Sequence, residues 1–205
     1  MATDPGSAGL TVIKIGGRLT AVPSALDRVC AVVGEVSRSH RVLVVPGGGP
    51  FADAVREFDT RVRLSADAAH WMAILAMDQY AHVLASRIPG AVLVDEPGAV
   101  SEAVGEGSVA VLAPSRWMRS ADVLPHTWEV TSDSIAAFVA GALDATRLVL
   151  IKPADQGTML DSYFATALPL GMPYIIVSWN RVEELSSRLR GETPGLKPAS
   201  CPDSC

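Results

Sequence analysis

The chain has 205 residues, 49% of them hydrophobic, and a formal net charge of −5. This length suits one α/β domain, and so apolar a composition excludes a wholly disordered chain. The acidic balance and the lack of a long basic block exclude nucleic-acid binding as the main task; small anionic ligands stay open, because local amides and a few cations decide those.

Residues 1–9 are small and polar, without the cationic start and apolar centre of a secretory signal. No apolar run reaches membrane-spanning length, so a cytoplasmic protein is expected, with no membrane partner. The first apolar run, Thr11-Val12-Ile13-Lys14-Ile15, predicts a buried strand over 10–15 that ends in Gly16-Gly17. Glycines there let backbone approach a ligand without Cβ obstruction. Lys14 either snorkels to the surface or points into a crevice, where its ammonium would neutralise transferring phosphate oxygens. Pro23-Ser24 opens a helix over 23–39, with Ser24 available as its cap and Cys30 as a packing residue.

A second strand, 41–46, runs into Gly47-Gly48-Gly49 and a helix over 50–58. Orphan amides at a helix start, with the helix dipole, favour an anion. A flexible turn is the bland alternative, and three consecutive glycines cost it considerable chain entropy. Ser65-Ala66-Asp67 opens a long helix over 66–88, in which Trp71, Ile74 and Leu75 form a packing stripe, core or dimer seam. Strands over 91–95 and 108–112 alternate with helices over 98–105 and 114–119.

Thr131-Ser132-Asp133-Ser134 opens a helix over 132–143. Taken alone, this is an N-cap with a carboxylate in the first turn. As function, Asp133 orients Lys14 or holds magnesium, while Thr131 and Ser132 contact ligand. A strand over 147–152, a helix over 161–168, a strand over 174–178 and a helix over 181–190 follow. After Arg190 the composition predicts a loose tail, in which Cys201 and Cys205 could bind metal or form a disulfide; incidental thiols are the favoured reading, since no further Cys or His cluster completes a metal site.

Continuous apolar strands alternating with helices predict an α/β fold with a mostly parallel sheet covered on both faces. One domain is expected over 10–190, between flexible termini at 1–9 and 191–205. Ligand sites in such sheets form outside the carboxyl ends of strands, where both glycine clusters lie. The Walker spacing is absent, and so is Gly-x-Gly-x-x-Gly at the first strand, which disfavours a dinucleotide dehydrogenase.

Val12-Ile13-Lys14-Ile15-Gly16-Gly17, then Val44-Val45-Pro46-Gly47-Gly48-Gly49-Pro50-Phe51-Ala52, then Thr131-Ser132-Asp133-Ser134 resembles the amino acid kinase family. That family includes acetylglutamate, uridylate, aspartate and carbamate kinases. The resemblance implies a three-layer α/β/α sandwich with an open sheet. Ala76-Met77-Asp78, Ala113-Pro114-Ser115-Arg116 and the run Asp122 to Ser134 are similar to the branch that phosphorylates aminomethylfuranmethanol phosphate in methanofuran biosynthesis. Carried over, Lys14 contacts the transferring phosphoryl group, and Gly16, Gly17, Gly47, Gly48 and Gly49 supply amides. Asp133 organises Lys14 or the magnesium ion.

The nucleotide side lies after the strand ending at Lys152. There the family commonly shows Thr-Asp-Val-Asp-Gly and a long loop with a hairpin. This chain has Lys152-Pro153-Ala154-Asp155-Gln156-Gly157, an abbreviated segment that makes Lys152, Asp155 and Gly157 nucleotide-binding candidates. Arg116 as a bidentate phosphate clamp, Trp128 as a flat face for a furan ring or ammonium, and His126 as a hydrogen-bond donor are the acceptor candidates. Each has a bland alternative, as solvated charge, core and loop residue respectively.

The expected function is ATP-dependent phosphoryl transfer to a small phosphorylated acceptor, with Mg²⁺ held mainly by ATP phosphates and a homo-oligomeric assembly implied by the family and the apolar long helix. A non-catalytic nucleotide- or oxyanion-binding or assembly subunit on a kinase scaffold is the alternative of a different class, motivated by the abbreviated segment. Uridylate kinase is a weaker alternative.

Overall fold

The structure is a computed structural model that describes residues 9–153 and 159–191. Its strands are β1 (Thr11–Ile15), β2 (Val42–Pro46), β3 (Ala91–Val94), β4 (Val109–Leu112), β5 (Arg147–Lys152) and β6 (Tyr174–Ser178). They form one sheet in the order β3-β4-β2-β1-β5-β6, and every pair is parallel. The expectation of a mostly parallel sheet thus becomes an all-parallel one.

The helices are α1 (Ala25–Val36), α2 (Gly49–Val62), α3 (Ala66–Ala85), α4 (Pro97–Gly105), α5 (Ser115–Ala121), α6 (Ser132–Ala142), α7 (Phe164–Ala167) and α8 (Leu185–Leu189). They cover both faces. Ile13, Ile15, Val149 and Ile151 pack with α1 and α8 on one side. Val12, Leu43, Leu148 and Leu150 pack with α4 and α6 on the other. Burying each such side chain contributes roughly 1.5–3 kcal/mol. Cys30 belongs to the first cluster, as expected of a packing residue, and burial pushes its thiol up to about 12.

Strand alternation decides where the polar residues go. Lys14 shares its parity with Val12, and Lys152 shares its own with Leu148 and Leu150. Both lysines therefore rise on the face covered by α6. In register, Lys14 lies opposite Leu150 and Val45, so the two lysines stand at the carboxyl ends of adjacent strands.

Several local expectations change. Ser24 is left-handed (φ 62°) and its side chain caps nothing, so α1 begins without that bond. Ser65 and Thr131 do cap, accepting from the N–H groups of Ala68 and Asp133 at 3.2 and 3.3 Å. The helix expected over 161–168 shrinks to α7, because Asp161 is drawn away to another element. The one expected over 181–190 divides into a 3-10 turn (Trp179–Glu184) and α8. The stripe of Trp71, Ile74 and Leu75 splits too: Ile74 is buried, and Leu75 is 45% exposed. Cys201, Cys205 and nearly all of both terminal segments lie outside the described residues.

Candidate active site

A cleft of about 490 Å³ opens at the carboxyl ends of β1, β2 and β5, lined by both glycine loops, the start of α6 and Lys152. The loops touch. A Cβ on Gly17 would collide with the backbone of Gly49, and one on Gly47 would lie 2.6 Å from the Gly17 nitrogen. Gly49 itself takes φ +56°, which glycine adopts without strain. Loop-to-loop packing, as well as ligand approach, therefore demands these glycines.

Not every glycine amide is free, which corrects the carried-over roles. Gly16 N–H donates to the Ile151 carbonyl at 3.0 Å, and Gly47 N–H donates to the Ile15 carbonyl at 2.8 Å. These two extend the sheet rather than serve a ligand. Gly48 and Gly49 stand at the start of α2, where amides lack intrahelical partners, and Gly17 opens a 3-10 turn (Gly17–Ala21). These three line the cleft.

The centre of the cleft is a trio of charges. Lys14 Nζ lies 2.7 Å from Asp133 Oδ1, and Lys152 Nζ lies 2.7 Å from Asp133 Oδ2. Lys152 also donates to the Met159 carbonyl. All three charged residues are buried, at 6%, 4% and 5% exposure for Lys14, Asp133 and Lys152. Burial pushes the Asp133 carboxyl up; the adjacent Lys14 and Lys152 ammoniums outweigh it, and the group is held below its ordinary range. Each oxygen of Asp133 is thus engaged by a lysine. Among the described residues no cluster of three or more acidic, His or Cys side chains could hold a metal ion. The donor set of two lysines and three helix-start amides fits a phosphate chain.

Asp161 builds the floor of this trio. Its Oδ2 accepts from Thr131 N at 3.1 Å, Thr131 Oγ1 at 2.6 Å and Ser134 N at 3.1 Å, and its Oδ1 accepts from Ser134 Oγ. A carboxylate at the positive end of α6 is favourable. It also consumes the Thr131 hydroxyl, whereas the cleft-lining hydroxyls of Thr127 and Ser132 are not engaged by Asp161.

The acceptor candidates fare unequally. Arg116 does not line the cleft. It is solvent-exposed and paired with Asp95 at 3.2 Å and Glu96 at 3.1 Å, so its bland reading as a surface charge holds. His126 does line the cleft, but Nδ1 is 2.7 Å from Asp67 and Nε2 is 2.9 Å from Asp122. The Asp67 hydrogen bond, opposed by burial and aided by Asp122, raises its pKa. His70 stacks on it at 4.1 Å and is pushed down to about 4 by burial and by His126. His126 is thus a brace between α3 and the segment before α6, not a free donor. Trp128 lines the cleft, with its indole N–H on Asp59 at 2.9 Å and Arg56 4.9 Å over its ring. Asp155 and Gly157 lie outside the described residues.

Residues 9–156 match the amino acid kinase family. This chain belongs to that family. The member is 28% identical, over 144 residues, to (5-(aminomethyl)furan-3-yl)methyl phosphate kinase of Methanocaldococcus jannaschii. That match covers 70% of this chain and 66% of that protein, just under two thirds of the relative's length. In fold, this amino acid kinase family chain is similar to uridylate kinase from Archaeoglobus fulgidus (TM-score 0.67, 16% identity, 90% of this chain and 96% of that one). It is equally similar to UMP kinase from Ureaplasma parvum (TM-score 0.67, 12% identity, covering 91% and 95%). Aspartate kinase from Synechocystis matches at TM-score 0.62 and 14% identity, over 83% of this chain and 38% of that one. These named relatives are all kinases.

The cleft also holds charged residues to which the sequence did not point, Asp161 and Arg18 among them. Asp161 carried no local signal, because its partners lie a strand and a helix away. Arg18 follows Gly16-Gly17 directly, and that adjacency is its signal in the sequence.

Proposed function

We propose that this chain is an ATP-dependent kinase that phosphorylates a small phosphate monoester of the aminomethylfuranmethanol phosphate type, giving a diphosphate. The observation that carries this reading is the pair of lysines held on one carboxylate where two glycine loops meet. The M. jannaschii relative and the similarity of the Asp122–Ser134 run support the choice of acceptor.

Lys14 and Lys152 neutralise the oxygens of the phosphoryl group in transit, and the amides of Gly17, Gly48 and Gly49 orient the phosphate chain. Asp133 keeps both ammoniums aimed, so little reorganisation is required as charge shifts. The bond from the γ-phosphorus to the β,γ-bridging oxygen breaks, a bond to the acceptor's phosphate oxygen forms, and ADP leaves with the electron pair. A phosphate acceptor is already ionised near neutrality, so no general base is needed. His126, engaged by two carboxylates, is accordingly not assigned that role. Magnesium is expected to be held mainly by ATP phosphates.

The working unit is residues 10–190, acting in the cytoplasm. The exposed Val92 and Leu93 on edge strand β3 support a homo-oligomer. Among the described residues, no helix is long and apolar enough to cross a membrane.

The test is to mix purified protein, Mg-ATP and aminomethylfuranmethanol phosphate and to assay ADP and the diphosphate. Turnover is expected; its absence across related furan phosphates sinks the reading. The uridylate kinase alternative draws on the fold similarity over nearly the whole chain, and UMP-dependent ADP release decides for it. Calorimetry with ATP addresses the non-catalytic alternative, which requires a protein that binds oxyanion without turnover.

A further inference from the structure

The cleft's carboxylates are all engaged by this chain's own donors. Asp53 accepts from Arg56 at 2.9 Å. Asp59 accepts from Trp128 and from the Leu64 N–H at 2.8 Å. Asp133 holds the two lysines, and Asp161 holds the start of α6. The Lys and Arg residues of the lining, Lys14, Arg18, Arg56 and Lys152, equal those carboxylates in number but are not evenly paired. Lys14 and Lys152 share Asp133, and Arg56 holds Asp53. Arg18 differs: it lines the cleft, is exposed, and has no hydrogen bond, ion pair or ring contact among the described residues.

The lysine pair and Arg18 are separate centres. The lysine pair is buried at the strand ends, while Arg18 stands on the cleft rim in the turn that starts at Gly17, against the Gly49 loop. One phosphoryl group in transit needs only the buried centre. A second, solvent-accessible cation with no pair among the described residues fits a second anionic group entering from the rim. A guanidinium presents a planar fork that grips a phosphate through two parallel hydrogen bonds, which an ammonium does not reproduce.

We infer that Arg18 recognises the acceptor's own phosphate group and thereby makes a phosphate monoester, rather than a neutral alcohol, the substrate. This rests on the kinase reading above, and it assigns to Arg18 the clamp that the sequence placed at Arg116. Its position is set by the fold: Arg18 follows the glycine whose contact with Gly49 closes the cleft wall, so the guanidinium starts beside the amides that orient the phosphate chain.

The experiment compares wild type with Arg18→Gln and Arg18→Lys. Calorimetry measures binding of aminomethylfuranmethanol phosphate, of its dephosphorylated alcohol and of Mg-ATP, and steady-state assays separate the two KM values from kcat. Arg18→Gln is expected to weaken the phosphate monoester by roughly tenfold or more. It should leave ATP and the alcohol unchanged, and Arg18→Lys should recover only part of the loss. Thermal midpoints should match, because the side chain is exposed and has no partner among the described residues.

Equal weakening of ATP and monoester, or an unchanged monoester, overturns the inference. Wild-type turnover with an indifferent Arg18→Gln sinks this inference alone. Arg18-dependent binding of the monoester without turnover sinks the kinase reading alone. A wild type that neither binds nor converts any monoester sinks both.

Discussion

Lys14 and Lys152 project from adjacent parallel strands onto opposite oxygens of a single carboxylate, at 2.7 Å each. Like charges placed so near one another are tolerable only because Asp133 stands between them. The same arrangement leaves one net positive charge facing the cleft.

Asp133→Asn removes the neutralising charge from two buried ammoniums. Breaking a buried pair in this way costs roughly 3–5 kcal/mol, and turnover should fall with it. The folded carboxyl is held below its ordinary 3.8, so its stabilising contribution is present above that value and lost as pH falls through the lower folded one. Urea titrations taken down through the acid range should show a shallower acid slope in Asp133→Asn than in wild type. An unchanged slope and midpoint would mean that the trio contributes nothing to stability.

Lys14→Ala leaves Asp133 paired with Lys152, so the fold should persist. Turnover should drop by roughly 100- to 1,000-fold, the scale for losing one preorganised donor at a developing charge. Circular dichroism and single-turnover phosphoryl transfer check both halves. A wild-type rate removes Lys14 from the chemistry.

Asp161→Ala strips four hydrogen bonds from the start of α6 and leaves the fully buried Ser134 without its acceptor. A hydrogen bond to a charged group is worth about 1.5–3 kcal/mol, and the loss should exceed that of one bond. Because Asp133 rides on the same helical turn, kcat should fall as well. Chemical denaturation and kcat on one preparation test this. A stable variant with normal kcat shows that α6 holds its place without Asp161.

His126→Gln breaks the brace from Asp67 and Asp122. The folded pKa of His126 is raised, so its contribution is complete below the ordinary 6.5 and lost as pH rises through the folded value. Its stacked neighbour His70, lowered to about 4, works in the opposite sense: its contribution is complete above 6.5 and declines as pH falls towards that value. The variant should therefore be less stable than wild type in mildly acid buffer and converge with it at alkaline pH. Thermal midpoints across that range decide it, and a gap that widens with rising pH contradicts the assignment.

All six strands were legible in the sequence to within a residue or so at each end, because buried parallel strands announce themselves as continuous apolar runs. The lysine within the first run and the two glycine ends pointed to the cleft for the same reason: each interrupts a continuous apolar run at its carboxyl end. The helices were less legible after residue 160. Asp161 is recruited by the Thr131–Ser134 turn, and no local pattern reports a partner so far along the chain. Arg116 misled because an arginine in a motif-like run looks the same whether it faces a cleft or a pair of surface carboxylates.

By itself, the sequence determined the layer architecture, the strand ends that carry the glycines and the placing of a lysine inside an apolar strand at position 14, since hydrophobic periodicity and backbone freedom are local properties; that its ammonium is buried came from the fold. Tertiary structure alone decided that Lys152 joins Lys14 on Asp133, that Gly16 and Gly47 spend their amides on the sheet, and that Arg18 is left with no partner among the described residues. Charge pairing depends on which side chains a fold brings within a few ångströms, and that distance is written in the crossing of strands and helices rather than in their spacing along the chain.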